Sequence, residues 1–182
     1  MDVRQVESES ELKQILDLQN DNHYTNVPEH VKEADGFVTV RHDLKTLTML
    51  NDKARHVIAL EKGKVIGYAL VMLKELRDLI PVLVPMFDMF QKIEYQGVRL
   101  SNYNYYAMGQ ICIAEGYRGK GVFSQLYNKH KEVYSELYDL CLTEVSSSNP
   151  RSMKAHEKVG FQNIHQFRDK TDEWNILCWD WN

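Results

Sequence analysis

The chain has 182 residues, 43% of them hydrophobic and 26% charged, with 22 basic against 26 acidic side chains for a formal charge of −4. Chains of about 100–200 residues usually make one domain, and at this size enough surface is buried to support a core without disulfides or metals. The composition excludes a disordered chain, and its mixed, mildly acidic charge lacks the basic footprint that nucleic-acid binding requires.

Cys112, Cys141 and Cys178 are odd in number, widely spaced and set among apolar neighbours, which reads as reduced packing residues of a cytoplasmic protein. The first residues carry no apolar stretch of the signal-peptide kind. The most apolar stretch, residues 79–90, contains Pro81, Pro85 and Asp88 and falls short of the roughly 20 residues that span a bilayer. No membrane association is expected.

In chain order, residues 3–6 alternate as a strand, and Ser8 with Glu11 forms a capping box ahead of Leu12, Ile15, Leu16 and Gln19 at helical spacing. Residues 20–55 are polar and irregular, with a helix over 44–53. Two strands, 56–60 and 64–73, flank Glu61-Lys62-Gly63 and predict a hairpin. Residues 74–104 form an apolar insert with helical periodicity, and Pro85 inside it predicts a kink or two short helices.

Residues 103–114 are aromatic and β-branched and read as a long strand. From 119 to 138, Val122, Leu126, His130, Val133 and Leu137 recur every three or four positions as an amphipathic helix. A strand follows at 140–145. Asn149 then caps a helix that has Pro150 at its first position and Gly160 at its end. Strands at 161–167 and 175–181 finish the chain around the polar turn 169–173. The expectation is a single domain over residues 1–182, with the insert at 74–104.

Two motifs carry chemistry. Tyr117-Arg118-Gly119-Lys120-Gly121-Val122-Phe123-Ser124 joins a strand to a helix. Its glycines allow close approach of a bound group, and first-turn helix amides suit an anion; a tight turn that needs glycine for geometry alone reads equally well. It is neither a Walker loop nor a dinucleotide fingerprint. The second motif runs from Asn149-Pro150-Arg151-Ser152 to His156 and Gly160-Phe161.

In this order and separation, with one strand between, the two motifs resemble those of the GNAT superfamily of N-acetyltransferases. The specific resemblance covers residues 110–161. It implies an α/β (α+β) fold with a mixed, mostly antiparallel sheet flanked by helices, whose central strands splay into a slot for acetyl-CoA. By position it implies Ile111, Cys112 and Ile113 as the segment pairing with the pantetheine arm. The pyrophosphate is expected on the backbone of Gly119, Lys120, Gly121, Val122, Phe123 and Ser124, with Arg118 and Lys120 adding charge. Asn149, Ser152 and His156 join the cofactor-binding set. Phe123 departs from the family's small residue, and binding survives if its ring turns to the core.

The implied reaction is direct attack of a primary amine of a small molecule or peptide on the thioester in a ternary complex, with the oxyanion at a backbone amide near Ile113. His156 stands where many relatives have a proton-donating tyrosine; it either protonates the departing thiolate or only hydrogen-bonds CoA or its own helix. Glu144 is the first candidate for the base and Glu115 the second. The apolar settings of Cys112 and Cys141 disfavour covalent catalysis. No two histidines lie three or four apart on one helix, so no metal is expected.

The insert, with Asp78, Asp88, Glu94 and many aromatic residues, either walls an acceptor pocket or packs as a flap or a dimer contact. A rival reading keeps the fold but makes it a catalytically silent CoA-binding or regulatory module. Many relatives pair as homodimers, which leaves the oligomeric state open.

Overall fold

The computed structural model describes residues 1–28 and 37–182; of the irregular stretch expected at 20–55, residues 29–36 lie outside the described residues. The fold consists of two compact units, each built from two separate stretches of chain.

The first unit comprises residues 1–71 and 109–133. Strand β1 (Asp2–Gln5) leads into helix α1 (Glu9–Asp21), whose start has the predicted capping box: the Glu11 amide donates to the Ser8 hydroxyl and the Glu11 carboxylate accepts from the Ser8 amide. Helix α2 (Leu44–Lys53) has the predicted bounds and is capped by Asp43, which accepts from the Thr46 amide. β2 (Val57–Glu61) and β3 (Lys64–Met72) form an antiparallel hairpin, and β2 also pairs antiparallel with β1. Lys62 and Gly63, at φ 51° and 77°, make the turn; two left-handed residues match the right-handed twist of the strands.

Gly67 on β3 has no room for a side chain. A Cβ there would meet Val122 Cγ1 at 3.2 Å and the Cys112 carbonyl at 3.3 Å, so this glycine lets the helix that starts at Val122 sit directly on the strands. Leu12, Ile15, Leu47, Ile58 and Tyr68 fill the core beside it.

The second unit comprises residues 72–108 and 134–182. The long strand β6 (Tyr105–Ile113) crosses from this unit into the first. Its opening residues pair in parallel with β7 (Leu140–Ser146), from Tyr105 against Leu140 to Ala107 against Leu142. One residue further on, the Thr143 hydroxyl donates to the Met108 carbonyl at 3.0 Å. β7 pairs antiparallel along its whole length with β9 (Glu173–Asp180), and β9 pairs with β8 (Gln162–Arg168). Within the units four pairings are antiparallel and one is parallel, so the mixed, mostly antiparallel sheet is the predicted one.

The insert is broken into short helices as expected, and it adds a hairpin that was not foreseen. Short 3-10 turns at Lys74–Leu79 and Pro81–Leu83 lead into helix α3 (Val84–Phe90), with Pro81 and Pro85 each in the first turn of its own segment, where a missing amide costs nothing. A miniature hairpin, β4 (Glu94–Tyr95) with β5 (Val98–Arg99), follows around Gln96 and Gly97, both left-handed. Phe87, Phe90, Ile93 and Leu100 are buried, and Phe90 meets Tyr105 edge on at 5.8 Å. These apolar side chains therefore pack inward, while Val82 and Val98 stay exposed. Arg77 pairs with Asp88 at 2.9 Å, and Asp78 and Glu94 are exposed.

Candidate active site

Helix α4 (Val122–Tyr134) begins three residues later than expected and ends earlier. The buried stripe of Val122, Leu126 and His130 is as predicted, but Leu137 is 60% exposed. Beyond Tyr134 the chain turns, and Tyr138 rather than Leu137 meets the buried Tyr106, at 5.3 Å. The three residues freed at the start form the loop that matters. Gly119 (φ 72°) and Gly121 (φ 79°) are both left-handed. A Cβ on Gly119 would meet nothing within 4 Å, and one on Gly121 only Gln125 Nε2 at 3.9 Å. These glycines are not forced by packing; they leave space above a helix start.

Side chains around this loop are tied in place. Arg118 Nε donates to the Ile113 carbonyl at 3.1 Å and Nη2 to Asn22 Oδ1 at 2.5 Å, so the guanidinium braces the end of β6. Tyr117 donates to Glu61, and the exposed Lys120 lies 5.5 Å from the Tyr117 ring centroid. The half-buried Phe123 ring packs on Tyr127 one turn along the helix, at 5.1 Å. Val122 is buried, Ser124 half-buried, and Ile111 and Ile113 flank the buried Cys112 on β6. Burial pushes the Cys112 thiol up to about 12, the state of an inert packing residue. Cys178 is likewise pushed up to about 12, Cys141 is also raised by burial, and all three cysteines are free.

In the second unit, helix α5 (Pro150–Val159) is built as predicted. The Asn149 side chain accepts from the Ser152 amide at 3.1 Å, so both residues serve the cap, and Gly160 closes the helix at φ 124°. His156 is buried. Its Nδ1 donates to the Ser152 carbonyl at 2.8 Å, which leaves Nε2 unprotonated in the neutral ring. Burial pulls its pKa down to about 4, so imidazolium is scarce at neutral pH. Of the contacts expected for His156, the one to its own helix is present, through the Ser152 carbonyl.

Glu144 on β7 is the opposite case. Its Oε2 is buried without a hydrogen-bond partner, and burial, with a smaller contribution from the Asp169 carboxylate, pushes its pKa up to about 7. Glu115 sits exposed in the 3-10 turn Glu115–Tyr117. The sequence thus places Ile111, Cys112, Ile113 and residues 118–124 together in the first unit, and Glu144, Asn149, Ser152 and His156 in the second. It gave no sign of Gly67, nor of Trp174 on β9, whose indole stands beside the Asp169 carboxylate and helps hold it ionised.

The profile described as the acetyltransferase (GNAT) family matches residues 12–161. The chain belongs to that family. Similar solved structures share its fold at low identity. An acetyltransferase of the GNAT family from Streptococcus agalactiae 2603 has TM-score 0.67 and 14% identity, covering 98% of this chain and 94% of that one. The ribosomal-protein-S18-alanine N-acetyltransferase from Escherichia coli has TM-score 0.63 and 13% identity, covering 98% and 92%. The structure of yncA from Salmonella typhimurium, with its cofactor acetyl-CoA, has TM-score 0.63 and 13% identity, covering 100% and 94%. No curated protein matches in sequence.

Acetyl-CoA is the family's acetyl donor. At the double-glycine loop two left-handed glycines leave the space that side chains would fill beside the start of α4, room that a phosphate group would need. Helix N-termini attract phosphate through their outward amides and dipole. Among the described residues no group of histidine, cysteine and carboxylate side chains is placed to hold a metal, and no helix is long and apolar enough to cross a membrane.

Proposed function

We propose that the chain is an N-acetyltransferase that moves an acetyl group from acetyl-CoA to a primary amine of a small molecule or peptide by direct attack in a ternary complex, acting as one catalytic domain. The cofactor supplies an acetyl group activated as a thioester. Gly119, Lys120, Gly121 and the amides opening α4 hold its pyrophosphate, the Lys120 ammonium adds charge, and the Ile111, Cys112 and Ile113 backbone pairs with the pantetheine arm. Arg118 acts as a brace on Ile113.

Glu144 carries the reading. An amine attacks only when neutral, so a base must take its proton. A carboxyl ordinarily near 4.5 is a weak base at neutral pH; one raised to about 7 is close to evenly split and exchanges protons readily. His156 supports α5 and takes no part in proton transfer.

The test is the pH dependence of CoA thiol release, with an acceptor whose own amine titrates well above neutral. The wild-type rate should fall as pH drops below about 7, because Glu144 loses its base form. Glu144→Gln should remove that limb and lower kcat by about a hundredfold or more. An unchanged limb in Glu144→Gln rejects Glu144 as the base. CoA binding without thiol release from any amine would instead support the silent module.

A further inference from the structure

A second polar arrangement lies in the first unit, next to Ile111, Cys112 and Ile113. Gln19 on α1 and Gln110 on β6 are only 2% and 8% exposed. Gln110 Oε1 accepts from Gln19 Nε2 at 2.8 Å and from the Tyr68 hydroxyl at 2.7 Å, while Gln110 Nε2 donates to the Val40 carbonyl at 2.9 Å. Gln19 Oε1 accepts from the His42 amide at 2.8 Å, and Gln19 Nε2 lies 2.7 Å from His42 Nδ1. Two buried glutamines thus pin Val40 and His42 to β6 and α1.

The pinning decides where a proton sits. A backbone carbonyl can only accept and a backbone amide can only donate, so Val40 and His42 fix which way both side-chain amides face. Gln19 Nε2 must then donate to His42 Nδ1, and the neutral ring carries its hydrogen on Nε2. Burial, with a smaller opposing pull from Asp43, lowers the His42 pKa to about 4, so the ring is neutral at pH 7. His42 is half-buried, and among the described residues its Nε2 makes no hydrogen bond. The network presents one neutral N–H of fixed direction.

The course of β6 gives that N–H a target. β6 ends at Ile113, just before the loop of Gly119 and Gly121. An arm anchored by its pyrophosphate at that loop runs back along the strand, and about 15 Å of pantetheine covers about four or five strand residues. The thioester end then reaches the level of Gln110, upstream of the Ile113 amide.

We infer that His42 is a catalytic residue whose Nε2–H donates to the acetyl carbonyl oxygen of acetyl-CoA, with Gln19 and Gln110 as the positioning residues that hold its tautomer. This inference rests on the pantetheine arm pairing with Ile111, Cys112 and Ile113. Negative charge develops on the carbonyl oxygen as the amine attacks, and a preorganised neutral imidazole N–H stabilises it while keeping its own proton.

The chain has seven histidines, and in a sample labelled with 15N-histidine the variant His42→Asn assigns one ring. Acetyl-CoA should shift the His42 Nε2 resonance, whereas CoA, with the same pyrophosphate and arm but no acetyl oxygen, should leave it in place. In calorimetry the preference for acetyl-CoA over CoA should fall by about fivefold in His42→Asn, which keeps an acceptor for Gln19 but has no outer N–H. It should persist in His42→Gln, which keeps an N–H where Nε2 stood. Dispersed resonances of the other histidines report that each variant is folded. A merely structural ring gives the reverse order of the two variants, because Asn preserves the inner bond and Gln does not, and that order overturns the inference. So does a His42 resonance unmoved by saturating acetyl-CoA or moved equally by CoA. If the arm does not lie on β6, neither ligand moves the Ile111, Cys112 and Ile113 amide resonances; if only this inference fails, those amides move and the His42 ring ignores the acetyl group.

Discussion

The two motif helices are each punctuated by glycine, and the glycines do opposite things. At the start of α4, Gly119 and Gly121 face open space; at the end of α5, a Cβ on Gly160 would meet Trp179 Nε1 at 2.8 Å. A left-handed glycine pressed against an indole serves the fold. A pair of left-handed glycines with no more than the end of Gln125 near them serves something the fold itself does not contain. The same contrast runs through the side chains: the α5 cap is satisfied internally by Asn149, while the α4 start carries an exposed lysine over a tyrosine that is fixed to Glu61.

Acid should break both sides of this comparison at once, with the largest effect. Both helices bury a neutral histidine: His130 Nε2 donates to the Ala69 carbonyl at 3.2 Å, as His156 Nδ1 does to Ser152. Burial lowers His130 and His156 to about 4, His42 to about 4 and His56 to about 3. The folded values lie below the unfolded one near 6.5, so the unfolded chain binds protons first. Stability is present above 6.5 and falls as pH drops toward 4. Glu144, raised in the fold, works in the other direction between about 4.5 and 7, as a single group against four. Urea unfolding at pH 7, 6 and 5 should show a steadily falling midpoint; a flat midpoint would mean that these rings are hydrated.

A smaller effect separates the glycines. Gly160→Ala should cost about 3 kcal/mol, from the Trp179 overlap and the left-handed backbone together. Gly119→Ala should cost only about 1 kcal/mol, from the backbone alone. Thermal unfolding of the two variants decides it, and equal losses would erase the distinction between a packed glycine and an open one.

Much of this was legible because the signals are local. The Ser8–Glu11 capping box, the Lys62-Gly63 turn and the Asn149, Pro150 and Gly160 punctuation each depend on residues a few positions apart. The RGKG segment was legible as a glycine turn, but sequence spacing cannot show whether a Cβ would find neighbours or open space. Glu144 stood out by its strand position, whereas its proton affinity depends on burial and on Asp169, 25 positions away. Gly67 looked like any strand residue until α4 was laid on it, and Gln96-Gly97 escaped because the stronger hairpin signal is Asn-Gly or Asp-Gly.

Calorimetric titration of acetyl-CoA into wild type and Gly121→Val tests the central claim most directly. The added side chain would occupy the space beside the α4 start while meeting only the end of Gln125. The account predicts that the dissociation constant rises by about tenfold or more, with the variant still folded. Equal affinity in the two proteins would contradict it, and would mean that the open glycines of this acetyltransferase do not hold its cofactor.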